Sequence, residues 1–137
     1  MRPQVFFDSN IAIYAFTQAE KKTTQAQLLF SEGGVVSVHV LNETANVLKR
    51  KFKTPWPRIG QIIEAILKNC PDPRPLTLET HRSALRICER YGYSVYDSLV
   101  IAAALEARCT TLYTEDLQHG QTIEGLRIVN PFLSEGN

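Results

Sequence analysis

The sequence predicts an α/β fold: a short-stranded parallel sheet with helices on both faces. Short apolar runs of strand type alternate along the chain with longer segments of helical periodicity. The short runs are continuously apolar rather than alternating polar and apolar, as in strands buried on both faces. Between them there is no Asn-Gly or Asp-Gly pair of the kind that closes a tight antiparallel hairpin.

The elements follow in order. "QVFF" reads as a buried strand ending at Asp8, and a helix opens at Ser9 or Asn10 with "IAIYAF". "TTQAQLLFSEG" is a second helix, stopped by Gly33 and Gly34. "VVSV" reads as the second strand. "HVLNETANVLKRKF" follows it at once as a helix, with Val40, Thr44, Val47, Leu48 and Phe52 near one face. "PRIGQIIEAILKNC" is a helix opened by prolines and closed by "PDPRP". "LTLETHRSALRICERYG" begins extended and becomes a helix ending at Gly92. "YDSLVIAAALEARC" is the most apolar helix, "TTLYT" the next strand and "LRIVNPF" the last.

The 137 residues suit one domain, 1–137, and a hydrophobic content of 44% suffices for a core. No repeat or low-complexity tract occurs, and no apolar run is long enough for a membrane span. The opening "MRPQVFFDSN" lacks a signal-peptide core and cleavage site. Cys70, Cys88 and Cys109 are odd in number and form no CxxC pair, which argues against a disulfide frame or zinc knuckle. The expected protein is soluble and cytoplasmic, with reduced thiols.

A formal net charge of +1 says little, but its distribution says more. Residues 44–63 contain no acid, yet they hold Lys49, Arg50, Lys51, Lys53 and Arg58, with Phe52 and Trp56 among them. Cations interleaved with aromatics suit a phosphate backbone and its bases. A solvated helix end, where cations meet the negative end of the dipole, accounts for the same run.

Four carboxylates occupy element boundaries or lie close to one. Asp8 ends the first strand, Glu43 lies one to two turns into the helix after "VVSV", Asp97 opens the apolar helix and Asp116 follows "TTLYT". Each has a structural explanation. Asp8 suits a helix cap, and "SVYD" suits a capping box from Ser94 to Asp97. Asp116 suits the start of a single helical turn, and Glu43 an exposed position paired with Lys49 or Arg50. Their conjunction points further, because the fold places all four at the carboxyl edge of one sheet, where ligands gather. Converging carboxylates repel, and a hard divalent cation such as Mg²⁺ or Mn²⁺ relieves that repulsion. Ser9, Asn10 and Thr114 stand beside the acids, placed to orient ligands or waters.

Other chemistries lack their parts. There is no GxxxxGKS or GxGxxG phosphate cradle, no GxSxG elbow and no HExxH pair. His119, three residues past Asp116, and His39, four before Glu43, read as structural histidines.

Three segments together resemble the PIN domain family, and within it the VapC-type toxins of bacterial toxin–antitoxin pairs. "VFFDSN" resembles the opening strand with its Asp. "VSVHVLNETANVLKRK" resembles the acid-bearing helix and places Glu43, and "YSVYDSLVIAAALEARCTTLYTEDLQHG" places Asp97 and Asp116. The resemblance covers nearly the whole chain. It implies a Mg²⁺- or Mn²⁺-dependent endoribonuclease that hydrolyses RNA phosphodiester bonds, forms a homodimer and is inhibited by a small antitoxin. It assigns Asp8, Glu43, Asp97 and Asp116 to the metal and to catalysis, with Ser9 or Thr114 assisting. Lys49, Arg50, Lys51, Lys53 and Arg58 are the expected RNA-binding set. Some members carry a further acid two positions after the last aspartate, where this chain has Gln118. The rival is a PIN-like module that binds RNA or protein without hydrolysis. A haloacid-dehalogenase-like phosphatase wants a second aspartate where Asn10 stands, and a receiver domain wants an aspartate–lysine pair that these strands do not supply.

Overall fold

Four strands make one sheet in the computed structural model, which describes residues 4–133. In chain order the elements are β1 (Val5–Phe7), α1 (Ser9–Ala15), α2 (Lys21–Ser31), α3 (Val38–Arg50), α4 (Trp56–Asn69), α5 (Leu78–Tyr91) and α6 (Val95–Glu106). The remaining strands are β2 (Thr111–Tyr113), β3 (Thr122–Ile123) and β4 (Leu126–Val129). The sheet order is β1-β2-β4-β3, with β1-β2 and β2-β4 parallel.

Phe6, Leu112 and Ile128 pair across the sheet in one row, and each is fully buried. On the opposite face Phe7 stacks on Phe30 of α2 with ring centroids 4.2 Å apart. Both aromatics of β1 are therefore inside, as its unbroken apolar run predicts. The segment 98–104 of α6 is buried on every side, so this helix is apolar all round and carries no amphipathic stripe. It packs against α5 and α3.

"VVSV" does not become a full strand. Val35 bridges Phe6 in parallel and Ser37 bridges Arg74, without a ladder. The reason lies in Ser37, whose hydroxyl accepts from Val40 N at 3.2 Å and already caps α3. Gly34 admits this close approach, since a Cβ there would lie 2.5 Å from the Phe7 ring and 2.9 Å from the Val5 carbonyl oxygen.

The sheet also has one antiparallel edge, which the sequence reading does not anticipate. β3 pairs antiparallel with β4 through a two-residue turn, Glu124-Gly125. Both turn residues have positive φ, 51° and 90°, as a type I′ hairpin requires. Glu-Gly is a quieter signal than Asn-Gly or Asp-Gly, because glutamate gains less from local hydrogen bonds in that region. β4 ends at Val129, and its burial alternates around exposed Arg127. Among the described residues no helix is long and apolar enough to cross a membrane.

Candidate active site

The neighbouring parallel strands β1 and β2 end together, Phe7 opposite Tyr113. Asp8 leaves one and Thr114 the other, and Asp8 N donates to the Tyr113 carbonyl at 3.0 Å. Thr114 is fully buried, and its hydroxyl is saturated. It donates to Asp8 Oδ2 at 2.8 Å and accepts from Asp116 N at 3.1 Å and from Asn10 Nδ2 at 3.3 Å. Asn10, on the first turn of α1, also donates to Asp116 Oδ2 at 3.0 Å and accepts from Glu115 N at 3.3 Å. One threonine and one asparagine thus fix the two strand ends and the Asp116 carboxylate in a single network. Ser9 contributes its backbone N–H to Asp8 Oδ1 at 2.7 Å.

Asp8 is the N-cap of α1, so its capping role is real. It is only 3% exposed, and burial pushes its carboxyl up to about 6. Bonds from Thr114 and Ser9 oppose that rise, and the charges of Asp116 and Asp97 add to it. Glu43, reaching from α3, is pushed up to about 7 by burial and then by the charges of Asp8, Asp97 and Asp116. The four acids are therefore brought into one another's fields. Among the described residues no Lys or Arg pairs with any of them.

The capping-box expectation at Asp97 is half met. Ser94 Oγ accepts from Asp97 N at 3.2 Å, but the return bond from Ser94 N to the Asp97 carboxylate is not made. The helix is capped by Ser94, and the carboxylate is left to the site. Asp116 starts no helical turn and lies in a bend after β2. Glu43 pairs with neither Lys49 nor Arg50, and its neighbour is His39, with Nε2 3.4 Å from Glu43 Oε1. Burial lowers the His39 pKa, and Nε2 makes no hydrogen bond, so the contact is not an ion pair when the ring is neutral.

Other residues escape sequence reading. The Tyr14 hydroxyl donates to Glu115 Oε1, and Lys22 Nζ donates to Glu115 Oε2 at 2.9 Å. Lys22 also lies 4.8 Å from the Tyr14 ring centroid. Glu115 therefore faces away from Asp116, as adjacent side chains should, and is not free to replace the acid missing at Gln118. His119 is structural, with Nδ1 accepting from Asn130 N at 3.0 Å. Cys70 and Cys109 are buried thiols, pushed up to about 12 and about 11 by burial.

The basic run spans the carboxyl end of α3, the turn that follows it and, at Arg58, the first turn of α4. Arg50, Lys51, Lys53 and Arg58 are exposed, and none of them, nor half-buried Lys49, forms an ion pair with a described residue. Lys49 Nζ lies 4.9 Å from the Trp56 ring centroid. Arg50 is seven residues beyond Glu43 on the same helix, about 10 Å along its axis.

Among the described residues no three His, Cys, Asp or Glu side chains already meet at metal-ligating spacing. The donor set still fits a hard cation. It is all oxygen, Thr114 and Asn10 tie down Asp8 and Asp116, and Asp8 and Glu43 carry pKa values raised by burial and then by the neighbouring carboxylates.

The sequence pattern of the PIN domain family matches residues 5–122. The chain belongs to the PIN domain family. No curated protein matches it in sequence. Solved structures share the fold of this PIN domain. VapC20 of Mycobacterium tuberculosis, a sarcin-ricin loop cleaving toxin, is 19% identical, with a TM-score of 0.67 over 82% of this chain and 92% of that one. A toxin–antitoxin complex from Klebsiella pneumoniae is 17% identical, with a TM-score of 0.71 over 94% and 98%. VapBC2 of Rickettsia felis, bound to a DNA fragment from its promoter, is 19% identical, with a TM-score of 0.63 over 90% and 96%.

Proposed function

We propose that this PIN domain is a Mg²⁺- or Mn²⁺-dependent endoribonuclease and the cytoplasmic toxin of a toxin–antitoxin pair, homodimeric and silenced by a small cognate antitoxin. The observation that carries the reading is that Asp8, Glu43, Asp97 and Asp116 lie within one another's electrostatic reach at the carboxyl edge of a PIN-family sheet, with no described Lys or Arg paired to any of them. The fold neighbours, two of them toxin–antitoxin assemblies and one a sarcin-ricin loop cleaving toxin, support the partner and the substrate class.

In this reading the four carboxylates hold the cation. When bound, it supplies charge neutralisation for the phosphate and an acidified water. Thr114 orients Asp8 by holding Oδ2, and it fixes the Asp116 backbone with the same hydroxyl. Asn10 fixes the Asp116 side chain. These residues preorganise the acids before substrate arrives. Lys49, Arg50, Lys51, Lys53 and Arg58 hold the RNA backbone by charge, with the salt sensitivity that implies. The rival binding module draws on the absence of three side chains already at ligating spacing among the described residues.

The test is RNA cleavage by the purified chain. Cutting in Mg²⁺ or Mn²⁺ is expected, with none in EDTA and none by Asp116→Asn. An inert parent in both metals would leave the binding-module reading standing. Growth arrest on expression, relieved by co-expressing a small neighbouring gene product, tests the toxin assignment.

A further inference from the structure

Tyr96 stands one residue before Asp97 in the first turn of α6, and it is 64% exposed. Core packing does not account for an aromatic ring left in water next to Asp97 and one ring away from Glu43. Nor is the ring loose. It lies parallel to the His39 imidazole, 6° between planes and 5.8 Å between centroids. His39 is itself buried, hydrogen-bonds the Tyr96 backbone, and stands 3.4 Å from Glu43. One face of Tyr96 thus rests on a fixed ring that touches the acidic centre. The remainder of the ring is open to solvent, and its hydroxyl makes no hydrogen bond to a described residue.

We propose that Tyr96 is a stacking platform for an unpaired nucleobase beside the phosphate to be cut, so that the site selects RNA in single-stranded or loop form. The proposal rests on the ribonuclease reading and adds the substrate's conformation to it. Every base has a π-face, but a base inside a duplex has both faces covered by its neighbours. A ring already held by His39 loses little freedom when a base settles on it. Trp56 and Phe52 are also exposed, but they lie beyond the basic end of α3 and engage Lys49 and Lys51.

The experiment uses the full chain with Asp116→Asn to prevent cutting, and short RNAs carrying 2-aminopurine at successive positions. Stacking quenches that base. Quenching is expected at one position in this single variant, and adding Tyr96→Phe should preserve it. Adding Tyr96→Ala should abolish it and weaken Kd about tenfold, which is ~1.4 kcal/mol. A duplex of the same sequence should bind all three proteins alike. Tyr96 is exposed, so its truncation opens no cavity, and circular dichroism checks the fold. Unchanged quenching and Kd in Tyr96→Ala, or an equal loss in Tyr96→Phe, would overturn the platform. Cleavage by the otherwise wild-type chain is scored separately. Cutting that is indifferent to Tyr96→Ala removes the platform and leaves the nuclease, whereas Tyr96-dependent quenching without cutting removes the nuclease and leaves the platform.

Discussion

A carboxylate at a helix start can serve the helix or a ligand, and the two roles use different bonds. At Asp97 they separate cleanly: the Ser94 hydroxyl takes the Asp97 N–H, and the Asp97 side chain takes no part in the cap. Asp97→Asn should therefore leave the fold within about 1 kcal/mol of the parent in metal-free buffer, since the cap stays. It should nonetheless abolish RNA cleavage. Thermal melts and a cleavage assay on the same preparation check both, and cutting at the parent rate would return Asp97 to a purely local role. Thr114 behaves in the opposite way. Its hydroxyl serves three partners inside the protein, so Thr114→Val strands a buried Asp8 oxygen and an Asp116 N–H. A loss of about 1–3 kcal/mol in urea unfolding is expected, with Thr114→Ser largely restoring it. A neutral Thr114→Val would show that the network is not holding the strand ends.

Among the elements, β1 and α6 were the most legible, because an uninterrupted apolar run needs burial on all sides and finds it only in the centre of the fold. Asp8 and Asp97 border those two runs, and Asp116 follows the shorter run of β2, so their positions at element boundaries are legible in the sequence. "VVSV" has the apolar composition of a strand, yet Ser37, inside it, is committed to capping α3. The β3-β4 hairpin is hard to read from sequence because Glu-Gly is an uncommon way to supply two positive φ values. The Tyr14–Lys22–Glu115 contacts join residues 101 and 93 positions apart, and no periodicity records such a meeting. Helix α3 is the element that joins both expected functions, with Glu43 at its middle and cations at its end. Reversing Lys49, Arg50, Lys51 and Lys53 to Glu should weaken RNA binding and flatten its dependence on salt, while metal binding at the acids persists. Binding isotherms at several salt concentrations give the slopes, and parallel slopes would make the run an ordinary solvated helix end.

For the whole molecule, the acidic centre works against folding stability until it is neutralised. Asp8 and Glu43 have folded-state pKa values of about 6 and about 7, above their ordinary 3.8 and 4.5. A carboxyl raised in the folded state binds its proton more tightly there than in the unfolded chain. Its stabilising contribution is full below about pH 4 and is lost as pH rises through about 6 to 7. For buried Asp8 that loss is on the order of 2–3 kcal/mol. His39 acts with the opposite sign, since its lowered pKa favours folding at higher pH. In EDTA the melting temperature should fall between pH 5 and pH 8, and Glu43→Gln should reduce the fall by removing one titrating acid. Millimolar Mg²⁺ or Mn²⁺ should restore most of the loss at pH 8, because a cation held by the ionised carboxylates binds only the native state. At a hundredfold excess over its Kd the gain is about 2.7 kcal/mol. The restoration should fade at pH 5, where protons compete for the same oxygens. A melting temperature that ignores metal at pH 8 would mean that the four carboxylates do not share a cation.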